Sequence, residues 1–139
     1  MKKIKFGIAG LGRMGSIHLE NLANKFNDIE LVAISDINPN IKELAEKYSV
    51  PNFYTNYQDL VNNKDIDAVV ICSPTNFHAD HIMMAAKSGK EIFCEKPMDL
   101  SLDTVSKVIK VIEDMLVRKV ELVHKVYKVF KVIKVIEVM

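Results

Sequence analysis

Short apolar runs alternate with amphipathic stretches over the first 114 residues. Ile4, Phe6 and Ile8 open an apolar run that ends at Ala9, and Ile17, Leu19, Leu22, Ala23 and Phe26 then recur at helical spacing. Residues 29–35 read Ile-Glu-Leu-Val-Ala-Ile-Ser, apolar on both faces from Leu31, the pattern of a strand inside a covered parallel sheet. Asn38-Pro39 punctuates, and Ile41, Leu44, Ala45 and Tyr48 mark a second helix. The pattern further predicts strands over 52–55, 68–72 and 91–94, a short helix over 57–61, and a helix over 76–87 closed by Gly89. A long helix starts at Ser101. Strand and helix in alternation with short connections imply an α/β fold, a mainly parallel sheet with helices on both faces, ending in a long C-terminal helix. Ligands of such sheets bind outside the carboxyl ends of the strands.

The turn after the first strand reads Gly10-Leu11-Gly12-Arg13-Met14-Gly15. This G-x-G-x-x-G follows a strand and opens a helix, the context of a Rossmann-type dinucleotide site. Gly10 permits the tight turn, Gly12 lets a diphosphate approach the backbone, and Gly15 lets the helix pack against the strand. The helix start, with Arg13 and Met14, then offers free N–H groups to the phosphates. Asp36 falls 21 residues after Gly15, at the end of the second strand. A carboxylate there accepts hydrogen bonds from a ribose diol and repels a 2′-phosphate, so the expected coenzyme is NAD rather than NADP. The plainer readings are a glycine turn without a ligand and an Asp that only forms the turn before Asn38-Pro39.

A chain of 139 residues is one domain, or one domain with an appendage. With 19 basic and 18 acidic residues its net charge is +1, which gives no global field for nucleic acid or membrane. Residues 115–139 hold six of the basic and two of the acidic side chains, a net of +4 that leaves the body at −3. Cys72 and Cys94 lie in apolar runs without metal-ligand spacing and read as buried small hydrophobes in a reducing, cytoplasmic setting. The Met1-Lys2-Lys3 start lacks the long apolar run of a signal peptide, and no stretch approaches the length of a membrane span.

Glu95-Lys96-Pro97 follows the fifth strand, and strand propensity supplies no reason for a lysine there. Here the chain resembles the Gfo/Idh/MocA oxidoreductases, and within them the inositol 2-dehydrogenases. The resemblance rests on the glycine motif with His18 and Asn21 behind it, on Asp36, on Ser73-Pro74-Thr75-Asn76 with His78, and on residues 89–97 ending in Glu-Lys-Pro. It covers residues 2–114. It implies hydride transfer between NAD and a secondary hydroxyl of a polyol or sugar. In that reading Lys96 contacts substrate and coenzyme and assists proton transfer at the hydroxyl. Partial burial and the cationic ring would lower its pKa. Glu95 resembles the residue at the nicotinamide ribose, while Ser73, Thr75, Asn76 and His78 resemble the segment that lines the coenzyme. The plainer alternatives are a helix N-cap for Thr75 or Asn76, a surface or supporting role for His78, packing or solvent roles for His18 and Asn21, and core filling for Met83 and Met84.

Past residue 114 the sequence departs from the family. Valines recur every third position from Val117 to Val138, and Lys119, Lys125, Lys128, Lys131 and Lys134 each precede one of them. Three residues turn a helix by about 300°, so this repeat makes neither an amphipathic stripe nor a one-faced strand. Three readings stand for 115–139: a broken continuation of a longer gene, a helical extension adherent to another surface, or an oligomerisation segment. The family's C-terminal substrate domain is absent from these residues. The expectation is therefore a dinucleotide-binding domain over 1–114 with a basic tail, the NAD-binding half of a dehydrogenase, with little or no activity alone. Its partners are a polyol or sugar substrate, with homo-oligomers allowed. The alternatives are a stand-alone NAD(P)-binding sensor module with an interaction tail, and a relic that binds nothing.

Overall fold

A computed structural model describes residues 2–116, with backbone alone at 115 and 116. Of the expected extension over 115–139, residues 117–139 lie outside the described residues. The chain runs β1 (Ile4–Ala9), α1 (Arg13–Asn24), β2 (Ile29–Ser35), α2 (Ile41–Lys47), β3 (Asn52–Tyr54) and α3 (Tyr57–Asn62). It continues through β4 (Ala68–Ile71), a 3-10 turn (Thr75–Phe77), α4 (His78–Lys87), β5 (Glu91–Cys94) and α5 (Leu102–Leu116).

The strands form one sheet in the order β3-β2-β1-β4-β5, and every pairing is parallel. β1 is central because its residues can be buried on both faces: Phe6 and Ile8 point into one core and Ala9 into the other. Leu19 and Leu22 of α1 and Ile41 and Ala45 of α2 cover the first core. Leu60 and Val61 of α3, Ile82 and Ala85 of α4 and Val108 of α5 cover the second. β4 is buried at all four positions, as its unbroken Ala-Val-Val-Ile requires. β5 pairs only with β4 among the described residues, and its four residues are partly exposed.

The expected helix over 76–87 begins instead as a 3-10 turn, and the α-helix proper starts at His78. Neither start has a side-chain cap, so Thr75 and Asn76 do not serve as N-caps. Ser101 does cap α5, its hydroxyl accepting from the Thr104 N–H at 3.4 Å. Gly89, at φ 71°, ends α4 as expected. The cysteines are a correction: both are only partly buried, because Cys72 stands just beyond the end of β4 and Cys94 lies on the partly exposed β5. Met83 and Met84 pack at the margin of the second core. No described helix is long and apolar enough to cross a membrane.

Candidate functional site

The sheet order sets the order of the loops at its carboxyl edge. Asp36 follows β2, the glycine loop follows β1, Ser73 to Asn76 follow β4, and Glu95 and Lys96 follow β5. The strand order reverses between β1 and β4, since β1 leads to β2 on one side while β4 and β5 lie on the other. That reversal opens the crevice where α/β sheets take ligands. From β2 to β5 is three strand spacings, about 14 Å.

Each motif glycine has a separate reason to lack a side chain. Gly10 sits at φ +82°, and a Cβ there would stand 2.4 Å from the Ser73 nitrogen. On Gly15 a Cβ would stand 1.8 Å from the Gly10 carbonyl oxygen, so α1 starts pressed against the loop. A Cβ on Gly12 would meet nothing within 4 Å. Packing of the described residues therefore requires Gly10 and Gly15 but not Gly12, whose open face suits the close approach of a diphosphate. Gly12 also heads α1 with no side-chain cap, which leaves the positive helix end available to an anion. Arg13 and Met14 follow it and are exposed.

Asp36 fills its expected turn-forming role and also ties down the glycine loop. Its Oδ1 accepts from the Asn38 N–H at 2.8 Å, which forms the turn, and its Oδ2 accepts from the Leu11 N–H in the glycine loop. A carboxylate offers about four acceptor positions, so both oxygens can still receive a ribose hydroxyl. Beside it opens a cavity of about 250 Å³ lined by Leu11, Asn38, Ile41, Leu44 and Lys47 among others. Apolar Ile41 and Leu44 with the Asp36 carboxylate in the lining suit a nucleoside.

At the other end, Lys96 is exposed, against the expectation of partial burial. Glu95 is held from α1: His18 Nε2 lies 2.6 Å from its Oε1, with side-chain exposures of 1% and 13%. The carboxylate only accepts, so the imidazole N–H donates. Phe93 meets the His18 ring edge-on at 5.4 Å. His18 and Asn21 are both buried. Asn21 therefore packs, while His18 reaches a site residue 77 positions away.

His78 is likewise buried, at 2% exposure. Its Nδ1 lies 2.8 Å from the Pro97 carbonyl oxygen and its Nε2 2.6 Å from that of Ser73. The ring is engaged by backbone on both nitrogens and ties the loops after β4 and β5 together, in keeping with the supporting role weighed for it. The Ser73 hydroxyl pairs with His81 Nδ1 at 2.9 Å. His81 stacks on Tyr57 at 3.9 Å, and the Tyr57 hydroxyl donates to the His81 carbonyl. Sequence reasoning missed His81. Its spacing of three from His78 on one helix is the signal that pairs them on adjacent positions of a face.

Burial, seconded by neighbouring His78, holds His81 below its ordinary pKa, with Asp80 opposing. Burial raises the Tyr57 hydroxyl, with Cys94 adding to it. Burial, then Glu95, pushes the Cys94 thiol up to about 12.

Parallel sheet, glycine-loop helix start and the cavity beside Asp36 define a dinucleotide-binding domain of Rossmann type. The sequence profile of the Gfo/Idh/MocA family, an oxidoreductase family with an NAD-binding Rossmann fold, matches residues 4–121. The chain belongs to that family. The match extends past residue 114, where the motif resemblance stops. Myo-inositol 2-dehydrogenase of Thermotoga maritima is 40% identical over 108 residues, 77% of this chain and 32% of that protein. Oxidoreductase YrbE of Bacillus subtilis is 41% identical over 112 residues, 80% of this chain and 33% of that protein. The crystal structure of scyllo-inositol dehydrogenase from Lactobacillus casei with NAD(H) and scyllo-inositol superposes with a TM-score of 0.79 at 36% identity, covering 82% of this chain and 34% of that one. The chain thus spans about a third of the length of these relatives.

Proposed function

We propose that this chain is the coenzyme-binding portion of an NAD-dependent dehydrogenase acting on a secondary hydroxyl of an inositol or related polyol. The observation that carries the reading is the order along the sheet edge: carboxylate and cavity after β2, open glycine backbone after β1, and Glu-Lys-Pro after β5. In this reading Asp36 binds the adenosine ribose, and Gly10, Gly12 and Gly15 with the Arg13 and Met14 amides seat the diphosphate. Ser73, Thr75 and Asn76 face the nicotinamide half, Glu95 lies at its ribose, and the Lys96 Nζ exchanges the proton of the reacting hydroxyl. Bound NAD supplies the hydride acceptor. The inositol class comes from the relatives, of which the chain covers about a third. The 139 residues alone bind coenzyme and turn over little polyol.

The test is a fluorescence titration of the full chain with NADH and NADPH. Saturable NADH binding, tighter than NADPH binding, is expected. No saturable signal at millimolar coenzyme, or equal affinity for both, overturns the reading. Rapid inositol-dependent NADH production by the chain alone overturns its last part.

A further inference from the structure

We infer that His18 and His78 are positioning residues that hold the backbone of Lys96 from opposite faces of the sheet. The inference deepens the function proposed above and rests on it for the role of Lys96. α1 packs on one core and α4 on the other. From α1, His18 donates to the Glu95 carboxylate, whose second oxygen accepts from the Lys96 N–H at 3.3 Å. From α4, His78 stands against the Pro97 carbonyl and, through its other nitrogen, the Ser73 carbonyl. An imidazolium donates to both carbonyls, and either neutral tautomer donates to one. Lys96 therefore has a gripped neighbour on each side, while its own side chain is exposed. His78 also ties the loop after β5 to the loop after β4.

Core filling is a poor explanation for these rings. Burying an imidazole costs free energy that an apolar side chain of similar size does not incur. A buried pair of a histidine and a carboxylate adds little net stability over apolar packing. What it does add is direction: hydrogen bonds fix where Glu95 and Pro97 point, and a flexible lysine gains from a fixed Cα. Phe93 packs edge-on against the His18 ring.

The test compares NADH with ADP, which carries the adenosine and diphosphate but neither the nicotinamide nor its ribose. In the full chain, His18→Leu and His78→Leu should weaken NADH binding about tenfold and ADP binding less than about twofold. His18→Gln, which keeps a donor toward Glu95, should recover most of the NADH affinity. Equal losses for both ligands would mark the histidines as merely structural and overturn the inference, as would unchanged NADH affinity in both leucine variants. Amide hydrogen exchange without ligand is the second readout: Glu95 and Lys96 should exchange about tenfold faster in His18→Leu while Val69 and Val70 hold their rates. Should the wild-type chain bind neither ligand, the coenzyme reading fails and exchange alone decides; unchanged rates at Glu95 and Lys96 then overturn the inference. If a leucine variant does not fold, Glu95→Ala removes the partner of His18 from the other end and must speed Lys96 exchange to the same degree.

Discussion

Gly12→Ala separates what the glycine loop does for the fold from what it does for a ligand. Gly12 sits at φ −67° and ψ −158°, a conformation open to alanine, and the new Cβ meets nothing within 4 Å. Gly12 is also the N-cap of α1, where alanine is a poorer cap by about 0.5–1 kcal/mol. Alanine restricts the unfolded chain and returns about 0.4–1 kcal/mol. The two nearly cancel, so stability should stay within about 0.5 kcal/mol and Tm within about 4 °C of the wild type. Gly15→Ala is different: its Cβ would lie 1.8 Å from the Gly10 oxygen and 2.8 Å from the Gly10 carbon, so α1 must move bodily. Gly10→Ala adds a left-handed backbone to contacts of 2.4 and 2.6 Å with the Ser73 and Cys72 backbone. Each should cost about 3 kcal/mol, or about 10 °C or more in Tm. Yet Gly12→Ala should lose about tenfold or more in affinity for NADH and ADP-ribose alike, because both place a diphosphate on that face. Thermal melts and fluorescence titrations of the three variants are the assay. A stable Gly12→Ala protein with wild-type NADH affinity refutes the diphosphate placement, and a Gly15→Ala protein as stable as Gly12→Ala refutes the steric argument.

Three other outcomes are open to measurement. Asp36→Ser should narrow the preference for NADH over NADPH by about tenfold and destabilise the chain by about 1–2 kcal/mol, because the Leu11 and Asn38 amides lose their acceptor; an unchanged coenzyme preference would sink the ribose assignment. The Cys94 thiol, raised to about 12, is thiolate in about one molecule in ten thousand at about pH 8. Native protein should thus leave Cys94 unlabelled by iodoacetamide under conditions that label it in urea, with peptide mass spectrometry as the readout; equal rates would contradict the raised thiol. For His81, the folded pKa lies below the ordinary 6.5, so the unfolded chain binds the extra proton in that window. Its contribution is complete above 6.5 and is lost as the pH falls through and below it. Urea unfolding at about pH 7.5 and about pH 5.5 should show a smaller acid loss in His81→Gln than in the wild type, and equal losses would disprove the assignment.

The order of strands and helices, their parallel pairing and the glycine loop were all legible in the chain, because each is written within a few residues. A run such as Ala-Val-Val-Ile at 68–71 is buried on both faces wherever it lies, and Gly10 needs its backbone freedom whatever stands opposite. Tertiary structure alone decided which side chains meet. His18 reaches Glu95 because only β4 stands between β1, which leads into α1, and β5, which leads into Glu95. The same sheet order brings Leu11 against Asp36 and turns His78 inward onto Ser73 and Pro97. Periodicity records which face of an element is apolar. It does not record which distant polar group will answer a buried histidine, since that partner is chosen by sheet order and close packing, not by local spacing.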